Sequence, residues 1–80
     1  MILTSSTPTI TARITRIFAD KGFAFALDDL GYSYLLYAPN FEQFGRWGFA
    51  DLCVGAQVRF IPIDGPKGWR GVDVRVVSLD

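Results

Sequence analysis

The sequence predicts an all-β fold, a barrel or small sandwich of five short strands, on three observations. Apolar and polar residues alternate with a period of two in several short segments. Clusters of Gly, Asp, Lys and Pro punctuate those segments as turns. No segment carries an amphipathic-helix period, no internal repeat is visible, and 80 residues suffice for one domain only.

Residues 1–9 (MILTSSTPT) read as a flexible lead-in, or as a ragged extension of the first strand. The first strand spans Ile10 to Phe18, with Ile10, Ala12 and Ile14 on one face and Thr11, Arg13 and Thr15 on the other. Ala19-Asp20-Lys21-Gly22 is turn chemistry, where Gly22 accepts a positive φ at little cost. Phe23 to Leu27 forms a second strand, Asp28-Asp29-Leu30-Gly31 a solvated turn, and Tyr32 to Tyr37 a third strand ended by Pro39. Residues 38–51 make a long connection holding Phe41, Phe44, Trp47 and Phe49, a length that signals function or partial helix. Ala56 to Ile61 is the fourth strand, with Val58 and Phe60 inward and Pro62 marking an edge or an end. After the turn Asp64-Gly65-Pro66-Lys67-Gly68, Arg70 to Leu79 is the last strand, alternating Val72, Val74 and Val76 against Asp73 and Arg75. Trp47 and Trp69, in Gly-rich loops, are each either a lid over the core or a binding ring; core packing is the expectation for Trp69, and Trp47 is left open.

Composition narrows the function. Half the chain is apolar, which excludes a disordered tail. Twelve aromatic residues exceed what so small an interior can hold, so some rings should reach the surface. Eight basic residues balance eight acidic ones, unlike the basic stripe of a duplex-DNA binder. Cys53, alone and flanked by apolar residues, is expected as a small buried hydrophobe in a reducing compartment. No apolar run approaches the ~20 residues of a membrane helix, and Met1-Ile2-Leu3 is too short for a signal-peptide core. A cytoplasmic protein without membrane association is the expectation.

The stretch Ile14 to Phe25 (ITRIFADKGFAF) resembles the first two strands of the cold-shock domain family, including its first RNA-binding motif as Lys21-Gly22-Phe23-Ala24-Phe25. Further landmarks follow in the family's order, across roughly Ala12 to Val77. They are Asp28-Asp29, Ser33 to Tyr37, Leu52 to Phe60, Gly65-Pro66-Lys67-Gly68 and Asp73-Val74-Arg75. The resemblance implies a five-stranded antiparallel OB-fold β-barrel over residues 10–80 that binds single-stranded RNA or DNA. By position, Phe23 and Phe25 would stack on bases, Lys21 would meet a phosphate or base edge, and Leu35 and Tyr37 would occupy outward positions of the second motif. The chain also departs from the family. Arg16 stands where a Trp is usual, and Leu35, Tyr37 and Ala38 replace an aromatic-His-aromatic set. The ring-rich loop offers Phe41, Phe44, Trp47 and Phe49 as candidate replacements for the lost platforms.

Phe23 and Phe25 share a face because strands alternate, with Ala24 and Ala26 opposite. Periodicity alone places the rings inside, where rings usually belong. The resemblance places them outside, leaving Ile14, Tyr34, Leu36, Val58, Phe60, Val72 and Val74 to fill the core. The candidate contacts are therefore Arg16, Lys21, Phe23, Phe25, Leu35, Tyr37, Phe41 and Trp47. For Arg16 and Lys21 the competing role is that of an ordinary solvated cation.

Catalysis is not expected. The chain has no His, and Cys53 lacks a base or metal-ligand companion, so no catalytic, cofactor or metal residues are assigned. The alternative to nucleic-acid binding is a protein partner or homodimer on a barrel that has lost that activity, since aromatic surfaces also suit protein interfaces.

Overall fold

The computed structural model describes residues 8–42, 45–66 and 68–79. The lead-in expected over 1–9 therefore lies outside the described residues except for its last two positions. Five strands, β1 (Ile10–Phe18), β2 (Phe23–Leu27), β3 (Ser33–Tyr37), β4 (Gln57–Gly65) and β5 (Gly68–Ser78), close a barrel in the order β1-β2-β3-β5-β4. The closure is mixed, which corrects the expectation of an all-antiparallel barrel. β3 and β5 run parallel, pairing Leu35 with Arg70 and Leu36 with Gly71, while the other four seams are antiparallel. The reason is topological: the connection of residues 38–56 and the β4–β5 hairpin return the chain to β3 in its own direction. No helix among the described residues is long and apolar enough to cross a membrane.

The interior is built from small and large residues set against each other. Ala12, Ala24, Ala26 and Ala56 are buried together with Ile14, Tyr34, Leu36, Val58, Phe60 and Val74. Alanines at 24 and 26 leave volume for the Tyr34 and Phe60 rings, whose centroids lie 5.0 Å apart. Val72, expected inside, is half-buried instead, because Gly71 takes the inward position of β5. At Gly71 an added Cβ would lie 2.5 Å from Leu36 Cδ2 and 2.6 Å from Phe60 Cδ1, so the parallel seam closes only on a residue without a side chain.

Three register shifts interrupt the ladders, the third between Gln57 and Val58 of β4. In β1 the register slips between Ile14 and Arg16, leaving Thr15 unpaired with its hydroxyl donating to Phe25 O at 3.3 Å. In β5, Asp73 adopts φ +53° where the ladder with β4 shifts between Arg59 and Ile61. β4 does not end at Pro62. It continues to Gly65 because beyond Phe60 it pairs only with β5, where a residue without an N–H is tolerated.

The long connection forms two single 3-10 turns, Ala38–Asn40 and Phe49–Asp51. Between them Phe41 bridges to Val74, Glu42 N–H donates to Val74 O at 2.8 Å, and Glu42 pairs with Arg75 at 3.1 Å. Cys53 is exposed rather than buried; Ala56 takes the inward place in that segment, and the thiol donates to Leu79 O at 3.0 Å.

Asp28 organises the β2–β3 turn instead of being merely solvated. Its carboxylate accepts the Leu30 and Tyr32 N–H groups and the Tyr34 hydroxyl, each at 2.9 Å. Desolvation pushes its pKa upward, but the bonds from Tyr32, Tyr34, Leu30 and Gly31 outweigh that and hold it below the ordinary 3.8. Burial first, then the bond to Asp28 and its charge, push the Tyr34 hydroxyl from 10.0 up to about 12.

Two outcomes follow from this packing. Gly71→Ala should lower the urea midpoint by the equivalent of about 1–3 kcal/mol, the usual cost of overpacking. An unchanged midpoint would show that the seam has slack. Tyr34 binds its proton more tightly folded than unfolded, so its contribution is complete below pH ~10 and is lost as pH rises through ~12. Denaturant midpoints measured across that window should fall more steeply for wild type than for Tyr34→Phe. Asp28 acts at the other end, its contribution being lost as acid protonates it below its ordinary range.

Candidate nucleic-acid interface

β2 seats Ala24 and Ala26 at 0% exposure, so Phe23 and Phe25 stand on the outer face, half-buried by one another and by their neighbours. The bulge at Thr15 then brings β1 into phase with them: Arg16 pairs with Phe25 and Phe18 with Phe23. Across β3, Phe23 pairs with Tyr37 and Phe25 with Leu35. The parallel seam adds Arg70 beside Leu35.

Two rows result on one face. One is Phe18–Phe23–Tyr37, and the other is Arg16–Phe25–Leu35–Arg70. The rings form one continuous cluster. Phe18 lies 4.8 Å from Phe23 at a shallow 30° tilt, and Phe25 meets both edge-on at 6.1 and 5.8 Å. Tyr37 joins at 6.4 Å from Phe23. The cations sit at the margins. The Arg16 guanidinium lies 5.2 Å from the Phe18 centroid, that of Arg70 6.0 Å from Tyr37, and Lys21 is exposed on the β1–β2 turn next to Asp20. Neither row contains a carboxylate, so a chain of zero net charge still presents a locally positive aromatic face.

Of the residues singled out from the sequence, Arg16, Phe23, Phe25, Leu35 and Tyr37 come together here, with Lys21 at the rim. Phe41 does not. It is buried in the core and packs edge-on against Phe49 at 5.4 Å, the two rings plugging the barrel rather than replacing platforms. Trp47 has the Arg46 guanidinium 5.1 Å from its centroid, and among the described residues no ring contact joins it to the Phe23 cluster. Phe44 lies outside the described residues. Trp69, expected on the core, is instead 44% exposed, with its ring 6.3 Å from that of the buried Tyr34.

Phe18, Trp69 and Arg70 were missed. The signal for Phe18 was present: apolar spacing in β1 changes from two (Ile10, Ala12, Ile14) to three (Ile17), which marks a bulge and moves Phe18 to the outer face. Arg70 depends on which strand β5 meets, and no local pattern carries that.

The two faces should differ in energetic role. Phe60→Ala should cost about 3–5 kcal/mol and leave little folded protein, as for fully buried rings. Phe23→Ala should cost nearer the ~1 kcal/mol of an average substitution, and its denaturation midpoint should stay close to wild type. Equal losses at the two positions would place Phe23 among the core residues. No protein-family model matches this chain, and no curated protein matches it.

Proposed function

We propose that this chain is a non-catalytic binder of single-stranded RNA or DNA, a divergent cold-shock-like protein on an OB-fold barrel. The observation that carries the reading is the outward row Phe18–Phe23–Tyr37, with Phe25 beside it, held there by Ala24 and Ala26 facing inward. The closed order β1-β2-β3-β5-β4 with its parallel β3/β5 seam supports the finer assignment to an OB-fold. The Lys21-Gly22-Phe23-Ala24-Phe25 motif lies on the turn and strand where the resemblance requires it.

Half-exposed rings in contact with one another are unfavourable in water unless a partner covers them. Unpaired bases suit them, since every base has a π face and each stacked base contributes ~1–3 kcal/mol. The aliphatic Leu35 breaks the platform at its centre, so binding is moderate and tolerant of sequence. Arg16 and Lys21 supply few phosphate contacts, and at ~0.7 per contact the slope of log K against log salt is only about −1.4.

Titration of labelled oligonucleotides at low and moderate salt tests this. Phe23→Ala/Phe25→Ala should weaken binding by at least ~10-fold, in line with the stacking contribution of two rings, while the salt slope stays unchanged. A wild-type protein that binds no single strand at low salt refutes the reading. A second reading, a protein interface, draws on the β2–β3 turn, where Leu30 is 82% and Tyr32 53% exposed. Sedimentation showing a concentration-dependent dimer together with absent oligonucleotide binding would favour it.

A further inference from the structure

Beside the aromatic face lies a groove with a volume of about 410 Å³ between β3 and the β4–β5 hairpin. Phe25, Leu35 and Tyr37 form one wall, Trp69 and Arg70 the other, and Ser33 closes an end. Phe25 and Tyr37 belong both to the groove and to the ring cluster, so a strand crossing the face is delivered into it.

Arg70 is the unusual member. The side chain is half-buried, and among the described residues it has no ion-pair partner. Its Nε is fully enclosed without a hydrogen-bond acceptor, held against Gly65, where an added Cβ would lie 3.1 Å from Nε. Packing on Gly65 thus orients the guanidinium, which lies 6.0 Å from the Tyr37 ring and among the described residues has no carboxylate partner. Nε itself is shut off from the groove, so a ligand there meets only the terminal guanidinium nitrogens, and a planar fork favours a ligand with two acceptors side by side.

Resting on the single-strand reading above, we infer that this groove is a nucleobase subsite selective for guanine. The ring stacks among Tyr37 and Trp69, and Arg70 donates to the O6/N7 edge. Guanine sets two acceptors, O6 and N7, side by side, whereas adenine places a donor beside N7 and thymine an N–H between its carbonyls. Cytosine also has adjacent acceptors, O2 and N3, but offers one ring against guanine's two to the aromatic walls. A phosphate would satisfy the charge equally but has no use for the apolar walls.

The test uses the full chain and a short labelled oligothymidine carrying one internal dG, dA, dC or a deazaguanine lacking N7. Wild type should bind the dG strand more tightly than the dA strand, by at least ~5-fold, the lower end expected of a bidentate arginine contact. Deazaguanine should lose most of that gain. Arg70→Lys keeps the charge without the fork, and Arg70→Met removes both. Each should abolish the preference while leaving oligothymidine affinity within ~2-fold, given the small share of one cation in a stacking-dominated site. Circular dichroism confirms that both variants fold. Binding of the dG strand no tighter than that of the dA or the dC strand overturns the inference but leaves the stacking face intact. A uniform loss on every strand in Arg70→Met overturns it in favour of a phosphate contact. Failure of wild type to bind any strand overturns both readings together.

Discussion

Side chains along β2 must alternate, and a five-residue strand has only two ways to seat itself on a barrel. One buries Phe23 and Phe25; the other buries Ala24 and Ala26. The second prevails because the interior is already occupied by Tyr34 and Phe60, two large rings that need small residues opposite them. Once that choice is made, the outer face of β1, β2 and β3 becomes aromatic, and the cation–ring contacts at its margins are between same-face neighbours, Arg16 with Phe18 within β1 and Arg70 with Tyr37 across the parallel seam.

The constraint is strict because there is little room for compromise. Gly71 lets β5 approach β3 at the one seam where strands run in the same direction, with Leu36 and Phe60 filling the space a side chain would need. Phe41 and Phe49 cover the core from the long connection, so these two rings serve packing. Asp28 and Tyr34 tie the β2–β3 turn to the interior, so the hairpin bearing most of the exposed rings has a fixed base.

Local chemistry was legible in the sequence wherever it acted alone. β1 and β2 lie where alternation and the Asp20-Lys21-Gly22 turn place them, and Ile14, Leu36, Val58 and Phe60 are in the core by simple period. What escaped depended on register or on distant partners. Thr15 inverts the phase of β1, so a plain reading puts Phe18 on the wrong side. Asp73 does the same to β5, separating Val72 from Val74. Pro62 reads as an edge or an end, and only the loss of the β1 neighbour beyond Phe60 decides between them. Trp69 and Arg70 acquire their setting only from the parallel seam with β3, a contact across half the chain.

Past Arg70, the tip of the β4–β5 hairpin stands free of any third strand, with Asp64 opposite Trp69 and Gly65 opposite Gly68. A two-stranded ribbon without further support is marginal in water and opens at lower free energy than the closed part of the sheet. One wall of the groove, Phe25, Leu35 and Tyr37, therefore stands on the closed sheet, while on the other Arg70 sits at the junction, paired to Leu35, and Trp69 is carried by the ribbon beyond it.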